Sequence, residues 1–518
     1  MSVEIEKKII KTFGTIEPAN HTATIESDII VPDYQPDVKK VLISQVLPMV
    51  CEKRVQKDFI TLSGNMDYSI IYLSDEKNDD GKIKSIKVRS PFTHQLEVKN
   101  ADSASFSKIT AEASNVEFSV VNSRKINIKS VIDFQSSIIL SDEIEALGEV
   151  VSEGVPFKTQ EVSSFSLCAF AENEFEVSNC LPIPSGSDMI DEILKVDVKV
   201  CGREIKSINS KLVAKGVVEL CALYTDTAGQ INTLNGEIPF TEVLSVEDSG
   251  SDLCEVEYSI TDFQFSPAAD SDGDISTIDF YAKINASSCV FVQETDAICT
   301  DLYSTRDSVA LEKENARLKK IVFSNTERLS FKEVIGLSPE APPIEKIFNV
   351  IAKPCVEDAK IDGDKAKISG VTDVYLQYVS SSSQYPIYSI KQEVPFSYTV
   401  SADKVGKGDV SVIPSAYNIS FSYLNPASAE VKFSIDFETK VLSEENVAYI
   451  KNASFTEKSD AELKSLPGIV IYFASKGESM WDIAKRYCTT KEDIFASNGK
   501  EFPEILTQNE KIMLPRRK

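Results

Sequence analysis

Long stretches of the chain alternate apolar and polar residues with a period of two. Such stretches include residues 64–72, 125–129, 216–224 and 431–437. Alternation of this kind places successive side chains on opposite faces of the backbone and is typical of half-buried strands. The pattern therefore predicts a mainly β protein over most of its length.

Short Asp-, Asn- and Gly-rich segments separate the alternating stretches at residues 78–81, 271–274 and 362–364. Their residue types favour tight hairpin turns. The acidic stretch that starts at Asp270 also raises the possibility of a calcium loop. An EF-hand loop starting there needs Gly at its sixth position and Glu at its twelfth, and these positions hold Ile275 and Tyr281. A turn is the preferred interpretation, and no metal site is predicted.

Three segments of the chain share landmarks at matching spacings. Each begins with a proline-rich turn and two apolar residues three positions apart, which predicts a helix of one or two turns. A glycine follows 26 residues after the first apolar residue, a tyrosine eight residues later, and a Pro-Phe pair after that. In order of the copies, the landmarks are Val38, Gly64, Tyr72 and Phe92; Ile190, Gly216, Tyr224 and Phe240; and Ile344, Gly370, Tyr378 and Phe396.

These repeats predict three tandem β-rich domains, each a sandwich or an open barrel, with the sandwich-like form preferred. Their expected bounds are residues 1–152, 153–308 and 309–450. A polar linker is predicted at 451–467, where Ser, Lys and Glu predominate.

The periodicity changes in residues 468–516. A β-branched run at 469–473 predicts a strand, and Met480, Ile483, Ala484 and Tyr487 form one apolar helix face. Ser479 and Thr490, each followed three residues later by Asp, predict two helix N-termini, and 511–514 predicts a returning strand. The expected order is strand, helix, helix, strand. The predicted core residues are Ile471, Ile483, Ala484, Tyr487, Ile494 and Leu514.

Charge and composition narrow the possible functions. The chain has 518 residues, 42% of them hydrophobic, and a net charge of −25. Residues from 469 onward carry nine Lys/Arg against seven Asp/Glu, so the acidity lies in the preceding body. An acidic body argues against nucleic acid as a partner, and no apolar run is long enough for a membrane span.

The N-terminal residues lack the apolar stretch of a secretory signal, and the ten cysteines include no CxxC pair. We therefore expect a cytosolic protein with reduced thiols.

The sequence gives little support for catalysis. The only histidines are His21 and His94, both in the first copy, and there is no HExxH motif, glycine-rich phosphate loop or zinc-spaced Cys-His cluster. We predict no enzymatic activity, no catalytic residue and no cofactor.

The C-terminal motif, Tyr472-Phe-Ala-Ser-Lys-Gly-Glu-Ser-Met-Trp481-Asp-Ile-Ala, resembles a LysM domain, a βααβ fold known for binding N-acetylglucosamine polymers. The three copies resemble SPOCS domains, and the whole arrangement resembles the SipL/SpoVID-like family of spore-coat morphogenetic proteins. The resemblance implies a mother-cell protein at the forespore surface that binds the SpoIVA-type coat ATPase through its LysM domain. It also allows other coat proteins as partners.

The same resemblance places the binding site in the loops of the LysM-like segment and at the start of its first helix. Two interpretations of Trp481 stay open, a core side chain or one with an exposed ring edge. Peptidoglycan or N-acetylglucosamine binding is the alternative function, and it is less favoured because Glu478, Ser479 and Asn509 depart from the family pattern. The candidate residues are Ser475, Lys476, Gly477, Glu478, Ser479, Met480, Trp481, Asn498, Gly499 and Lys500.

Overall fold

A computed structural model describes residues 5–75, 82–101, 105–184, 188–208, 211–247, 253–269, 273–382, 385–401, 408–459 and 468–515. The predicted turn at 78–81, the first two residues of the predicted turn at 271–274, and residues 460–467 of the predicted linker lie outside these residues. Antiparallel strands form nearly all of the described body, and two short helices follow near the C-terminus. The prediction of a mainly β chain is confirmed.

Each copy contains six strands, and the first and sixth of these are much longer than the others. In the first copy they are β1 (Ile5–Ile30), β2 (Val38–Gln56), β3 (Phe59–Ser74), β4 (Ile83–Glu97), β5 (Phe106–Asn122) and β6 (Lys125–Val150). In the second they are β7 (Phe157–Pro182), β8 (Ile190–Ile208), β9 (Lys211–Asp226), β10 (Ile231–Glu247), β11 (Cys254–Ala269) and β12 (Ile275–Leu302). In the third they are β13 (Asp307–Gly336), β14 (Ile344–Asp362), β15 (Lys365–Ser380), β16 (Ile387–Ser401), β17 (Gly408–Asn425) and β18 (Ser428–Glu457).

The six strands of each copy form two three-stranded antiparallel sheets. In the first copy the sheet orders are β1-β6-β5 and β2-β3-β4, and the other two copies repeat this topology. Apolar residues of both sheets form one core in each copy. In the first copy that core includes Ile60, Tyr68, Ile126 and Phe134, all of them fully buried. The copies are therefore sandwich-like.

The repeated glycine and phenylalanine landmarks face each other across neighbouring strands. Gly64 pairs with Phe92, Gly216 with Phe240, and Gly370 with Phe396. The second strand of each copy has a β-bulge opposite this glycine. A Cβ atom on Gly370 would lie 2.1 Å from the Cys355 carbonyl oxygen and 2.7 Å from the Phe396 ring. The bulge brings another backbone so close that only glycine fits.

The tyrosine landmark binds the proline-rich turn in two copies. The Tyr72 hydroxyl donates to the Pro36 carbonyl at 3.0 Å, and the Tyr378 hydroxyl donates to the Pro342 carbonyl at 2.7 Å. Both tyrosines are completely buried. In the first and third copies, the tyrosine hydroxyl thus forms a hydrogen bond with a carbonyl of the proline-rich turn.

The prediction of a short helix after each proline-rich turn is wrong. These residues begin the second strand of each copy, as Val38 and Val41 do in β2. Each copy has register shifts just after both apolar residues of the pair, for example Val38/Lys40 and Val41/Ile43. Each bulge adds one residue to the strand, so a three-residue spacing keeps both side chains on one face without a helix.

Two other predictions concern connections. The turn at Asp362 is confirmed, because β14 and β15 meet there with a two-residue loop in which Gly363 has φ +65°. The predicted linker begins too early, since β18 continues to Glu457 and pairs there with Asp307. Apolar residues such as Ala453 and Phe455 pack in the interior and extend the strand.

The long strands extend beyond each sandwich as two-stranded arms, which we define as residues 5–14 with 140–150, 157–167 with 291–302, and 307–319 with 444–457. The fifth strand of each copy does not reach these residues. Arm residues of all three copies meet in one apolar cluster, which includes Ile10, Ile298 and Leu318. The sandwiches also meet, at a cluster that includes Ile71, Leu223 and Phe348. The three copies therefore form one body.

Buried charged and polar side chains cross the same junctions. Glu255 of the second copy binds Lys108 of the first and, at 2.7 Å, Lys440 of the third. Burial would raise the pKa of Glu255, but the two ammonium groups outweigh it and lower the pKa to about 2. Near the sandwich junction, Lys195 pairs with Asp197 at 2.8 Å, and Asp197 accepts hydrogen bonds from Gln45 and Asn349.

Candidate functional site

The C-terminal unit, residues 468–515, has the predicted order of strand, helix, helix, strand. Its elements are β19 (Ile469–Ala474), α1 (Met480–Arg486), α2 (Lys491–Asn498) and β20 (Glu510–Pro515). The two strands pair antiparallel. Among the residues described, no helix is long and apolar enough to span a membrane.

Only one of the two predicted N-terminal caps forms. The Thr490 hydroxyl accepts a hydrogen bond from the Asp493 backbone N–H at 3.1 Å, as a capping residue should. Ser479 occupies the N-cap position of α1, but its side chain makes no capping hydrogen bond. The Met480 N–H, the first of the helix, instead donates to the Glu504 carbonyl. A backbone contact thus satisfies this N–H without a side-chain cap.

The helices pack on one face of the two-stranded sheet. Met480, Ile483, Ala484, Ile494 and Leu514 are buried there. The other face of the sheet is exposed and apolar, and the prediction that Ile471 belongs to the core is wrong because 54% of it is exposed. Strand alternation places Ile471 opposite the buried side chains. The exposed apolar residues of this face are Ile469, Ile471, Phe473 and Met513.

The loop before α1 presents Ser475, Lys476 and Gly477 to solvent. Gly477 has φ +92°, a value that favours glycine, and no atom would lie within 4 Å of a Cβ there. Glu478 folds back on the loop. Hydrogen bonds from the Ser475 N–H and the Tyr472 hydroxyl lower the pKa of its carboxyl group. The loop therefore has a fixed shape with an open rim.

The second group of candidate residues lies at the same end of the unit. Adjacent residues Asn509 and Glu510 connect the two groups, since the Asn509 side chain accepts from the Lys476 N–H and Glu510 pairs with Lys500 at 2.8 Å. Gly499 ends α2 with φ +65°. Asn498 is a structural residue, because its side chain bonds the backbone of Met513 as both donor and acceptor. Lys476 and Lys500 are the exposed cations of this rim.

Trp481, the only tryptophan of the chain, faces the body. It is 4% exposed, and its ring packs edge-on against Tyr303 with 5.0 Å between centroids. The indole N–H donates to Asp301 at 2.8 Å, and Lys485 Nζ donates to both oxygens of the same carboxylate at 2.6 and 2.8 Å. Of the two interpretations of Trp481, a core side chain or one with an exposed ring edge, the first agrees with the structure. Met480 beside it is also buried.

Further contacts fix the C-terminal unit to the second copy. The Tyr303 hydroxyl donates to the Thr489 carbonyl at 2.8 Å. Lys158 pairs with Glu504 at 3.1 Å, and its ammonium lies 4.9 Å from the Trp481 ring centroid. Burial favours a higher pKa for Asp301, but the hydrogen bonds from Lys485 and Trp481 prevail and lower it. The sequence does not reveal Asp301 or Tyr303 as site residues, because they lie about 180 positions from their partners.

The predicted absence of catalytic chemistry stays a prediction. His94 stacks on Phe134 with 5.2 Å between ring centroids, and burial, with His21 nearby, lowers the pKa of His94. This is the environment of a packing side chain. In the described ranges, no group of three or more His, Cys, Asp or Glu side chains is placed to hold a metal ion.

Comparison with protein families gives three matches. The family described as SipL, SPOCS domain matches residues 37–121, 189–267 and 343–424. Each match covers the second to the fifth strand of one copy and leaves out the long first and sixth strands that form the arms. Comparison with curated proteins and with solved structures gives no match.

Proposed function

We propose that the chain, a SipL-like protein with three SPOCS domains, is a non-enzymatic scaffold for coat assembly. Its family is linked to sporulation and the spore coat. In this proposal the C-terminal unit is a LysM domain that binds the SpoIVA-type coat ATPase. The three SPOCS domains form a rigid acidic platform for other coat proteins. The protein would act in the mother cell at the forespore surface.

One observation carries the proposal. The ion pairs Lys108–Glu255 and Lys195–Asp197 of the body lie at the junctions between copies, whereas the C-terminal unit exposes Lys476 and Lys500 on a fixed, glycine-containing rim. Exposed cations at a rigid rim favour contact with an acidic protein surface and suppress wrong partners. The contact of Trp481 with Asp301 holds the rim in one orientation on the body in the structure described.

Pull-down of the ATPase by charge-reversed variants of the full chain tests this function. Lys476→Glu should reduce the retained ATPase at least about tenfold, since it places a negative charge opposite the partner's acidic surface. Lys511→Glu is the matched control, because Lys511 is also exposed on the unit but lies on the sheet, next to Phe473. It should retain the ATPase as the unmodified chain does.

Two results would contradict the proposal. Loss of binding in the Lys511 variant alone would move the contact to the exposed sheet face. Full binding by both variants, together with calorimetric binding of chitin oligomers by the full chain, would instead support recognition of N-acetylglucosamine polymers.

A further inference from the structure

The end of β12 lies on the C-terminal unit in the way that a bound peptide would. Asp301 and Tyr303 point to the unit from alternate positions, while Leu302 between them is buried in the arm core. The carboxylate of Asp301 receives the Trp481 indole N–H and the Lys485 ammonium. The unit therefore contacts an acidic residue and an aromatic residue two positions apart in the chain.

We propose that this Trp481–Lys485 surface is a binding site for Asp-x-Tyr-like segments, and that the chain's own residues 301–303 occupy it as an autoinhibitory contact. A partner that presents an acidic residue and an aromatic residue with the same spacing would displace them. This inference rests on the proposed function, because it assigns to the same unit a second and concealed part of its partner-binding surface.

The chemistry of the site supports a recognition role over simple packing. An ammonium and an indole N–H that converge on one carboxylate form charge-assisted hydrogen bonds, which are directional and selective. The edge-on contact of Tyr303 with Trp481 adds an aromatic interaction beside this carboxylate. The site is also continuous with the exposed rim, since α1 carries Trp481 and begins directly after that loop.

The covalent connection between the body and the C-terminal unit explains why residues 301–303 would occupy the site in the absence of a partner. Only residues 458–468 separate the end of β18 from the start of β19. A short connection gives the internal segment an effective concentration on the order of millimolar. A partner therefore binds with an affinity reduced by the fraction of molecules in which the site is open.

The single tryptophan provides a direct test in the full chain. Asp301→Ala should shift Trp481 emission to longer wavelength and increase its quenching by acrylamide, because the indole is released to solvent. Asp301→Asn is a milder variant that keeps a hydrogen-bond acceptor and should give a smaller shift. Asp279→Asn, an exposed position at the other end of β12, is the control and should leave the emission unchanged.

A synthetic peptide of residues 297–306 then tests recognition itself. It should bind the Asp301→Ala chain about tenfold more tightly than the unmodified chain, as expected if the site is open in about one molecule in ten. The same peptide with Ala in place of its Asp should not bind. Equal binding to both chains, or unchanged Trp481 quenching in the Asp301→Ala chain, would overturn the inference.

The ATPase pull-down separates this inference from the proposed function. Asp301→Ala should increase ATPase retention over the unmodified chain. If the peptide binds as expected but no variant retains the ATPase, the proposed function fails while the autoinhibitory site stands. If the ATPase binds but the peptide does not, the inference of an autoinhibitory site fails while the proposed function stands.

Discussion

At the scale of single residues, the repeated glycine has the most demanding position in each copy. A Cβ on Gly370 would collide with a carbonyl oxygen of the bulged strand and with the Phe396 ring. We expect Gly370→Ala to destabilise the protein by about 2 kcal/mol, because backbone must move to admit the methyl group. The measurement is the free energy of unfolding in urea.

Gly336→Ala is the matched control in the same copy. No atom would lie within 4 Å of its Cβ, and the residue ends a strand. Its effect should stay within about 0.5 kcal/mol. A similar loss of stability in both variants would mean that glycine matters there for backbone freedom and not for the close approach.

The sequence shows these landmark residues and their spacing, but not what they do. The eight-residue spacing from glycine to tyrosine keeps both on one strand, which the alternation correctly indicates. The pairing of Gly64 with Phe92 depends on strand register, which no local pattern specifies. Ile471 shows a related limit, since a short apolar strand does not reveal which of its faces is covered.

At the scale of elements, the cluster of Glu255, Lys108 and Lys440 ties β5, β11 and β18 of three copies together. The pKa of Glu255 is about 2, below its usual 4.5. A carboxyl group with a lowered folded-state pKa stabilises the fold above pH ~4.5, and this contribution is lost as the pH falls to ~2. Glu255→Gln should therefore cost about 3 kcal/mol at pH 7, from the size of that shift.

The pH dependence provides the sharper measurement. The free energies of unfolding of the Glu255→Gln variant and of the unmodified chain in urea should differ most at pH 7 and converge as the pH falls from ~4.5 to ~2, because Glu255 takes up its proton over this range. Glu237→Gln, at an exposed position of β10, should match the unmodified chain throughout. A stability difference between the Glu255 variant and the unmodified chain that does not change with pH would contradict the charged state assigned to Glu255.

The elements themselves could be predicted where the period of two is uninterrupted. Bulges break that period, and the pair Val38 and Val41 therefore suggests a helix that does not exist. The sequence does not indicate the extension of β18 past residue 450, because the polar composition there is typical of linkers. Its pairing with β13 and its contact with the other arms decide its structure.

At the scale of the whole molecule, the sequence indicates three domains but does not indicate that they pack into one body. The family matches also omit the long first and sixth strands, and it is the ends of these strands that form the arms. The shared core of the arms joins residues about 150 positions apart in the chain, such as Ile10, Val162 and Leu318. Such contacts follow from the packing of long strands and have no local signature in the sequence.

Two isoleucines of one strand can show whether the copies act as one body. Ile298 lies in the arm core shared by all copies, whereas Ile284 lies in the sandwich core of the second copy, and each is at most 1% exposed. Truncation of either to Ala should cost about 2–5 kcal/mol through the cavity that it leaves. Hydrogen exchange followed by mass spectrometry would locate the loss.

Ile298→Ala should speed exchange in the arms of all three copies, including β1 and β13, because the cavity removes packing from each of them. Ile284→Ala should speed exchange mainly in residues 157–302. If the effect of Ile298→Ala were also confined to residues 157–302, the copies would be independent domains that merely touch. An extension to β1 and β13 means that a partner bound to one copy is held in fixed geometry relative to the other two copies, as a scaffold requires.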